Sequence, residues 1–364
     1  MISRLVSLRR KLSERQLDAV LISQTTNRHY LSGFTGSAGF LIISDRKAIL
    51  VTDFRYAEQA RSQSPDFQVV QIAGEFIKWL PELLVELGAE RIGFEGDDLT
   101  FFAHRQLVRA TRKLAPKARP RLVSIEGLIG FQRACKEPDE LAAIEKAAAL
   151  ADTAVERAGT LLKPGMTEKE LAWNLERFLR ENGSEGVAFD IIAASGPNSA
   201  LPHAEPTDRI ILSGEPVVID LGARVDGYCS DITRTIFLGE PNADFARIYR
   251  IVQSAQSAAL ASIRAGMNGD EADRLARDVI GKAGYEKAFG HGLGHGVGLD
   301  VHEQPRLGTN SPDILAEGMV FTLEPGIYLE GLGGVRLEDM VLLEKQGPRI
   351  LTQAVKLEFP QEEK

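Results

Sequence analysis

Residues 217–231 have the sequence VVIDLGARVDGYCSD, and the two carboxylates in this stretch decide how the rest of the chain is interpreted. Asp220 interrupts an apolar run that is typical of a buried strand. An ionised carboxylate in such a strand costs several kcal/mol unless it is paired or binds a metal. The Asp226-Gly227 pair is a hairpin signal, and antiparallel pairing would place Asp220 and Asp231 on one side of the sheet.

Taken alone, the two aspartates have an ordinary structural explanation. Asp220 can accept hydrogen bonds from backbone donors, and Asp231 can be a solvated residue at a strand end. Two isolated aspartates favour that explanation, so a catalytic interpretation needs support from elsewhere in the chain.

The C-terminal part of the chain contains two copies of one arrangement. Glu137-Pro138-Asp139-Glu140 is a helix start signal, and the long helix that it opens ends near Gly165. A second helical pattern covers residues 244–263 and ends near Gly266. Another helical stretch follows each of them, opened in the first copy by a capping box at Thr167-Glu168-Lys169-Glu170.

Each copy continues into a strand pair that carries two carboxylates. Asp220, in IDLG, corresponds to Glu324, in LEPG, and Asp231 corresponds to Glu338. A pseudo-twofold duplication would bring all four carboxylates to one centre, where they cannot share a buried site without cations. The duplication therefore favours a metal site over the ordinary explanation.

A glycine-rich segment with three histidines, HGLGHGVGLDVHE, begins at His291. His291 and His295 have the spacing of a helical zinc-protease motif, but Gly292 stands where that motif has glutamate. Arg306 likewise stands where a motif beginning at His302 would need its second histidine. Alternating glycines argue against a helix, so the histidines are expected on an extended segment that a substrate can approach.

One histidine with four carboxylates is an oxygen-rich ligand set. It suits Mn²⁺ or Co²⁺, and Zn²⁺ or Fe²⁺ stay open as alternatives. Two ions about 3.5–4 Å apart can hold a hydroxide between them and polarise a carbonyl. The sequence therefore predicts two divalent metal ions, with Mn²⁺ as the first choice, and hydrolytic chemistry.

Residues 1–132 are expected to form a first domain and residues 133–364 a second, with the boundary in FQRACKEPD. Alternating helical and strand patterns predict a small α/β unit for the first. Its glycines in GFTGSAG lack the spacing and the lysine of a P-loop, so this segment is expected to be a turn. The expected helices are 3–17, about 54–63, 76–87 and 101–114, and the expected strands are 18–23, 39–43, 47–52, 67–72 and 91–96.

Composition excludes several classes of partner. The chain of 364 residues is 44% hydrophobic and 26% charged, which is ordinary for a folded globular protein. Acidic residues outnumber basic ones by 51 to 43, and the formal net charge is −8. A nucleic-acid or membrane-surface protein normally carries a basic excess or patch. We therefore expect neither nucleic acid nor a membrane as a partner.

Cysteine usage and the N-terminus predict a cytoplasmic location. Cys135 and Cys229 are far apart and form no metal-type pair, and such sparse usage fits a reducing compartment. The first residues, MISRLVSLRRKLSERQL, lack the continuous apolar core of a signal peptide. No run approaches the roughly 20 apolar residues that a membrane helix needs.

Four motifs together make the chain similar to a known enzyme family. They are GYCSDITRT (227–235), HGLGHGVGLDVHE (291–303), LEPGIY (323–328) and GGVRLED (333–339). With them the chain resembles the pita-bread metallopeptidases, and among these the Xaa-Pro peptidases, aminopeptidase P and prolidase. The resemblance covers nearly the whole length. It implies an α/β (α+β) architecture, with a creatinase-like N-terminal domain and a pita-bread catalytic domain with an internal pseudo-twofold duplication.

The resemblance also implies roles for the metal-binding residues. Asp220 would chelate one metal ion, and Asp231 and Glu338 would bridge both. His295 and Glu324 would bind the other ion, and Glu324 would also shuttle a proton.

A second group of residues matches the family's substrate and supporting positions. His203 and His302 match its substrate histidines, and His302 would steady the developing oxyanion. His291 would be an auxiliary site residue, although His203 and His291 can also be structural histidines. Tyr328 and Arg336 match groups that hold the ligands and relay protons.

The implied activity is hydrolysis of the bond between an N-terminal residue and a following proline by a metal-bridging hydroxide. Two alternatives stay open, an Xaa-Pro dipeptidase (prolidase) and a non-hydrolytic binding protein on the same fold. The complete set of ligands argues against the latter. The relatives also imply a proline-containing peptide as the substrate and a homodimer.

The distribution of cations favours an aminopeptidase over a dipeptidase. A dipeptidase must hold the free carboxylate of its proline, and the resemblance implies an arginine for this purpose before the Glu-Pro-Gly motif. That arginine is expected near Asn310, but residues 307–335 contain no lysine or arginine. Arg306 is the only nearby cation, and His203 can partly substitute for it. Without such a clamp, peptides that continue past proline are not penalised.

Overall fold

The computed structural model describes residues 2–359, and the chain divides into two compact units, residues 1–132 and 133–364. In the first unit, helices and strands alternate around one mixed sheet in the order β4-β3-β2-β1-β5-β6. Its elements are α1 Ile2–Glu14, β1 Ala19–Ile22, α2 Thr25–Ser32, β2 Phe40–Ser44, β3 Ala48–Thr52, α3 Ala57–Gln63, β4 Gln68–Gln71, α4 Phe76–Leu87, β5 Arg91–Glu95, α5 Phe101–Arg112 and β6 Arg121–Ile125. The short helix α6, Gly130–Ala134, spans the division.

The mixed α/β architecture predicted from the alternating pattern is confirmed, but the sequence did not predict α2 or β6. Helix α2 has the sequence TTNRHYLS, whose β-branched and polar residues are weak helix formers. Buried Arg28 explains why it forms. Its guanidinium donates to the carbonyl oxygens of Gly36 and Gly39 at 2.6 and 2.8 Å. The glycine-rich segment therefore wraps around an arginine of its own unit, as expected for a structural turn.

The second unit contains the remaining elements. They are α7 Pro138–Leu161, α8 Glu168–Glu181, β7 Ile192–Ser195, β8 Pro216–Leu221, β9 Arg224–Val225, β10 Tyr228–Cys229, β11 Ile232–Phe237, α9 Ala243–Ser262, α10 Gly269–Lys282, β12 Gly294–Gly296, β13 Glu303–Leu307, β14 Val320–Leu323, β15 Gly326–Leu329, β16 Gly333–Arg336, β17 Asp339–Glu344 and β18 Gly347–Ile350. Between residues 2 and 359, no helix combines the length and the apolar character required to cross a bilayer.

In the first half of this unit, helices α7 and α8 cover the sheet β11-β8-β7. A capping box between Glu137 and Glu140 starts α7. The predicted hairpin at Asp226-Gly227 joins β9 to β10, and both residues have positive φ angles, 51° and 80°. Strands β8 and β11 pair antiparallel with Thr233 opposite Asp220. This register brings the end of β8 close to the start of β11.

The second half repeats this plan. Helices α9 and α10 pack on the sheet β13-β12-β14-β17-β18 around a second apolar core. The helical pattern predicted α9 at residues 244–263, and the observed helix, Ala243–Ser262, differs by one residue at each end.

The duplication is visible in matching backbone hydrogen bonds at the start of α8 and of α10. In the first half, the amide of Glu168 donates to the carbonyl oxygen of Arg209, and the amide of Lys169 to that of Thr207. In the second half, Gly269 donates to Asp313 and Asp270 to Ser311 in the same way. Each helix therefore starts against a returning loop, and the two loops occupy equivalent places.

A buried ion network fixes the backbone behind β11. Arg234 is 2% exposed, and its guanidinium donates to the carbonyl oxygens of Glu338 and Ala354 and to the Asp339 carboxylate. Lys356 pairs with the other oxygen of Asp339. Breaking one of these contacts would leave an uncompensated buried charge, which is costly. The hydrogen bond from Arg234 therefore fixes the position of the Glu338 carbonyl group.

Helix α8 offers a direct test of the packing in the first half. Leu175 is 0% exposed in the apolar core, whereas Trp173 in the same helix is 61% exposed. We predict that Leu175→Ala lowers the free energy of unfolding by about 2–5 kcal/mol, since it leaves a cavity. Trp173→Ala should change it by less than about 0.5 kcal/mol. Urea titration followed by circular dichroism measures both values, and equal losses would contradict the observed orientation of α8.

Candidate metal centre

A cavity of about 700 Å³ in the second unit contains nearly all the predicted site residues. Tyr328 is the exception, because it lies behind the cavity wall. The apolar part of the wall includes Phe189, Ile192 and Val301. The predicted residues in its lining are His203, Asp220, Asp231, His291, His295, His302, Glu324, Arg336 and Glu338.

The duplicated strands bring the predicted ligands to this cavity. Asp220 lies in β8, and Asp231 lies one residue before β11. In the second half, Glu324 follows β14 directly, and Glu338 lies between β16 and β17. His295 lies in β12, an extended segment as expected from its glycines. The ligands therefore sit at strand ends, where the backbone turns and side chains from different strands can converge.

Three of the five predicted ligands form a tight cluster. Ligand atoms of Asp231, His295 and Glu338 lie within 4.8 Å of one another. His295 Nε2 is 3.6 Å from Asp231 Oδ2 and 3.4 Å from Glu324 Oε1. Glu324 therefore joins the cluster through the histidine.

Asp220 lies at the other side of this cluster with one oxygen held and the other unpartnered. Arg336 donates to Asp220 Oδ2 at 2.7 Å. Oδ1 is buried and has no hydrogen-bond partner among the described residues. Buried carboxylate oxygens are normally satisfied, so this atom indicates a missing positive partner.

The pKa values of the acidic ligands show the same deficit of positive charge. Burial, together with repulsion from Glu338 and Asp220, raises the pKa of Asp231 well above its ordinary value. Burial and repulsion from Glu324 and Asp220 do the same for Glu338. Burial is also the main cause that raises the pKa of Glu324 to about 7. These carboxylates, with one histidine nitrogen, fit divalent cations, which would relieve both the burial and the repulsion.

His295 is oriented as a metal ligand. Its Nδ1 lies 3.1 Å from the carbonyl oxygen of Gly296, so Nδ1 carries the proton. Nε2 is thereby left with its lone pair toward Asp231 and Glu324. Burial lowers the pKa of His295, which keeps the ring neutral. A backbone carbonyl that fixes the tautomer in this way is typical of metal-bound histidine.

His302 packs against the ligand histidine. The ring centroids of His295 and His302 are 4.2 Å apart at an angle of 57°. Burial, assisted by His295 and His203, lowers the pKa of His302. The neighbouring Glu303 is held in place by ion pairs with Arg133 and Lys136. This buried cluster anchors the segment that carries His302.

Tyr328, His291 and Arg336 form a hydrogen-bonded chain behind the carboxylates. Arg336 donates to the Tyr328 hydroxyl at 2.9 Å, and that hydroxyl lies 2.8 Å from His291 Nε2. His291 Nδ1 is 2.8 Å from the carbonyl oxygen of Gly292, so this nitrogen carries the proton and Nε2 accepts from tyrosine. Burial lowers the pKa of His291 to about 4 and raises that of Tyr328 to about 12. His291 is therefore neutral, and its 3.9 Å approach to Glu324 is not an ion pair.

Two threonines near the ligands were not predicted. Thr233 donates to Glu338 Oε2 at 2.7 Å and accepts from Arg336 Nε at 3.1 Å. Thr322 donates to Glu324 Oε1 at 3.2 Å. Their positions in the sequence could have indicated them. Thr233 lies two residues after Asp231 and Thr322 two residues before Glu324, and alternate residues of an extended chain share a face.

The remaining predicted residue, His203, is exposed at the cavity wall on the loop after β7. The carbonyl oxygen of the preceding residue, Pro202, accepts from Arg336 at 3.2 Å. Arg306 also lines the cavity and is exposed, and it forms no ion pair within the described part of the chain. The structure thus brings a histidine and an arginine to the cavity beside the carboxylates.

Comparison with known proteins gives matches over almost the whole chain. A family model for metallopeptidase family M24 matches residues 142–345, and one for the creatinase/prolidase N-terminal domain matches residues 4–135. The Xaa-Pro dipeptidase of Pyrococcus horikoshii is 40% identical over 344 residues, which are 94% of this chain and 94% of that protein.

Two solved structures are also similar. The Xaa-Pro dipeptidase from Bacillus anthracis superimposes with a TM-score of 0.93 at 39% identity, over 98% of both chains. The X-Pro aminopeptidase from Thermotoga maritima MSB8 gives a TM-score of 0.87 at 38% identity, over 96% of this chain and 99% of the other.

These matches confirm the resemblance and the fold class that the four motifs predicted. They also identify the chain as a hydrolase, and membership of a metallopeptidase family implies divalent metal ions and a peptide substrate. The acidic cluster at the duplicated strand ends and the full-length matches lead to one conclusion: this chain belongs to metallopeptidase family M24, with a creatinase/prolidase N-terminal domain before its peptidase domain.

Proposed function

We propose that this protein hydrolyses the peptide bond between an N-terminal residue and a following proline. The observation that carries the proposal is the cluster of Asp231, His295 and Glu338 beside Asp220 and Glu324, in a cavity large enough for a short peptide. The names of the relatives, Xaa-Pro dipeptidase and X-Pro aminopeptidase, support the choice of bond. In this proposal residues 133–364 are the catalytic domain and residues 1–132 the creatinase-like domain.

Five residues would hold two divalent ions. Asp220 would bind one ion, Asp231 and Glu338 would bridge both, and His295 and Glu324 would bind the other. The oxygen-rich set favours Mn²⁺, with Co²⁺, Zn²⁺ and Fe²⁺ as alternatives. When bound, the ions activate water and polarise the scissile carbonyl. The raised pKa values and the unpartnered oxygen of Asp220 support this assignment, because each needs added positive charge.

Glu324 would move the proton during the reaction. Its carboxylate has Thr322 as a hydrogen-bond donor and His295 as a neighbour, so one oxygen is held while the other faces the cavity. A group that takes a proton from water and passes it to the leaving nitrogen works best with a pKa close to the working pH. The position of Glu324 between the ligand histidine and the cavity supports this role.

The histidines would bind and polarise the peptide. His302 is neutral and packs on His295, so its ring nitrogen can donate to the carbonyl oxygen as negative charge develops there. His203 on the opposite loop would contact the substrate. Arg336, in a hydrogen-bonded chain with Tyr328 and His291, would hold Asp220 in place.

The length of the substrate separates two candidate activities. The lack of lysine and arginine in residues 307–335 supports an aminopeptidase that accepts peptides extending beyond proline. A specific observation favours a dipeptidase as the second candidate, since Arg306 lines the cavity without an ion-pair partner in residues 2–359. Its guanidinium lies above Gly308, where a substrate carboxylate can reach it.

Two further features complete the proposal. The resemblance to the family supports a homodimer. The sparse cysteines, Cys135 and Cys229, support a cytoplasmic location.

The first prediction concerns the bridging ligand. Asp231→Asn keeps the shape of the side chain but removes a negative charge from between two cations. Hydrolysis of an Xaa-Pro peptide should fall by more than the roughly 10–100-fold that loss of an outer partner of a ligand costs. Asp226→Asn is the matched control, because Asp226 is exposed at a hairpin tip and its positive φ suits asparagine. Near-wild-type turnover of Asp231→Asn with two metal ions bound would refute the ligand assignment.

The second prediction concerns metal removal and pH. The pKa of Glu324 rises from 4.5 to about 7 on folding, so the folded state binds more protons than the unfolded state in this range. Glu324 therefore contributes stability to the metal-free protein that is fully present below pH 4.5 and is lost as the pH rises through about 7. Added Mn²⁺ should displace these protons and raise the Tm more at about pH 7.5 than at about pH 5.

Calorimetric titration of Mn²⁺ in two buffers with different ionisation enthalpies counts the protons released. Chelator-treated protein should stay folded but inactive. An equal Tm increase at both pH values without proton release would contradict the proposed site, and so would full activity in protein shown by elemental analysis to be metal-free.

The third prediction decides between the two substrate lengths. We expect kcat/KM for a tripeptide or tetrapeptide that begins Xaa-Pro to equal or exceed that for the dipeptide. Arg306→Ala should then leave the ratio of the two values unchanged. The opposite result is a strong preference for the dipeptide that Arg306→Ala abolishes. If the control Arg180→Ala, at an exposed position of α8, preserves that preference, the protein is a dipeptidase with Arg306 as its carboxylate anchor.

A further inference from the structure

A buried carboxylate outside the cavity, Glu168, holds both ends of the loop that carries His203. Glu168 is the first residue of α8 and is 0% exposed. Its Oε1 accepts from the amide and the hydroxyl of Ser195 at 2.7 and 2.8 Å. Its Oε2 accepts from the amide and the hydroxyl of Thr207 at 3.0 and 2.7 Å. Asn198 donates to both oxygens, at 3.2 and 3.1 Å.

These contacts close the segment between Ser195 and Thr207 into a loop with a buried carboxylate at its base, beside Arg209, which donates to the Ser195 hydroxyl at 2.7 Å. A carboxylate only accepts hydrogen bonds, and every partner of Glu168 here donates, so the arrangement is matched to the ionised group. The residues that the loop brings to the cavity wall are Pro202, His203, Ala204, Glu205 and Pro206.

The middle and the tip of the loop are tied to the metal centre by other contacts. Ser199 accepts at 2.8 Å from the amide of Gly334, which lies in β16, the strand that ends at Arg336. Arg336 donates to the carbonyl oxygen of Pro202 at 3.2 Å and to Asp220 at 2.7 Å. The distance of His203 from the ligands is therefore set by Arg336 at the tip and by Glu168 at the base.

The second half of the duplication lacks a carboxylate at the position of Glu168. Gly269 takes the place of Glu168 at the start of α10, with the same backbone hydrogen bond to its returning loop. A Cβ atom at Gly269 would lie 2.1 Å from the carbonyl oxygen of Arg306, so no side chain fits there. The equivalent loop in the second half is held instead by Asp270, the next residue of α10, whose Oδ1 accepts from the amide of Asn310 at 2.9 Å. A buried carboxylate that joins both ends of the loop is therefore particular to the half that bears His203.

We propose that Glu168 is a positioning residue for the peptide substrate, acting through His203. It fixes the base of the 195–207 loop so that His203 meets the bound peptide beside the metal centre. This inference rests on the proposed Xaa-Pro peptidase activity.

The test begins with Glu168→Gln. Glutamine places an NH₂ group against donors, so half of the clamp is lost while the volume is kept. We expect kcat/KM for an Xaa-Pro peptide to fall about 10–100-fold, as for small displacements of groups that position a substrate. Metal content should be unchanged. The control is Glu170→Gln in the same helical turn, whose carboxylate accepts from the amide of Thr167 and from no other group in residues 2–359. It should retain wild-type activity.

A double-mutant cycle with His203→Ala separates positioning from a general structural effect. If Glu168 acts through His203, adding Glu168→Gln to His203→Ala lowers kcat/KM little further. Additive losses, or loss of metal together with activity, would overturn the proposal. If Glu168→Gln does not fold, Thr207→Val tests the same contact with a smaller change, because it removes only the hydroxyl that donates to Glu168 Oε2. It should give a smaller loss with the same non-additivity, and wild-type activity in this folded variant would count against the proposal.

Hydrogen exchange provides a readout that does not depend on activity. Amides of residues 196–207 should exchange faster in Glu168→Gln than in Glu170→Gln, and equal protection would refute the clamp. Failure of the wild-type protein to cleave any Xaa-Pro peptide would refute the proposed function instead, and the exchange data would still show whether Glu168 holds the loop.

Discussion

The repulsion among buried carboxylates at one centre is the constraint on which the rest of the second unit depends. Asp220, Asp231, Glu324 and Glu338 face one cavity, and burial together with their mutual repulsion raises the pKa values of the last three. A fold can tolerate such a cluster only if its backbone is stable without it. Here that stability comes from two helix-covered apolar cores, and the ligands lie beyond them at strand ends.

Arginine side chains neutralise only part of the negative charge at this centre. The rest is left for metal ions to neutralise. Arg336 is the one arginine that touches a predicted ligand side chain in residues 2–359, and it reaches only one oxygen of Asp220. Arg234 lies on the far side of β11 and binds the carbonyl oxygen of Glu338, not its carboxylate. The arginines therefore fix where the ligands stand, while most of the negative charge stays uncompensated. The remaining negative charge of the carboxylates is thus left for divalent cations to neutralise.

Sequence alone could predict which acidic residues come together because they interrupt strong patterns. Asp220 stands out in an apolar strand, and the repeat of its surroundings at Glu324 makes the pair recognisable. Helices α7 and α8 were predicted from local start signals, an early proline with first-turn acids for α7 and a capping box for α8. Helix α2 was missed because a buried arginine, not its propensity, stabilises it.

The polar residues that hold the side chains and loops around the cavity were harder to foresee, since each acts across a long separation in sequence. Thr233 donates to Glu338, and Glu168 accepts from Ser195 and Thr207, yet nothing local marks these residues as special. In the sequence, Glu168 is indistinguishable from any acid in the first turn of a helix. Only the folded loop reveals that its carboxylate faces inward.

The two halves share a plan, but they have diverged in what they contribute to the centre. Strand β12 pairs with the strand before Glu324 and carries His295, whereas its counterpart β7 pairs with the strand of Asp220 and contains only IAAS. In the proposed site the second half would supply the nitrogen ligand, and the first half would supply a histidine that faces the substrate, on a loop with a buried carboxylate at its base. A symmetric pair of halves would give two equivalent metal positions and no preferred direction for a peptide. Divergence at β7 and at the start of α8 gives the cavity two different walls, which is what a peptidase needs to distinguish the amino end of its substrate from the rest of the chain.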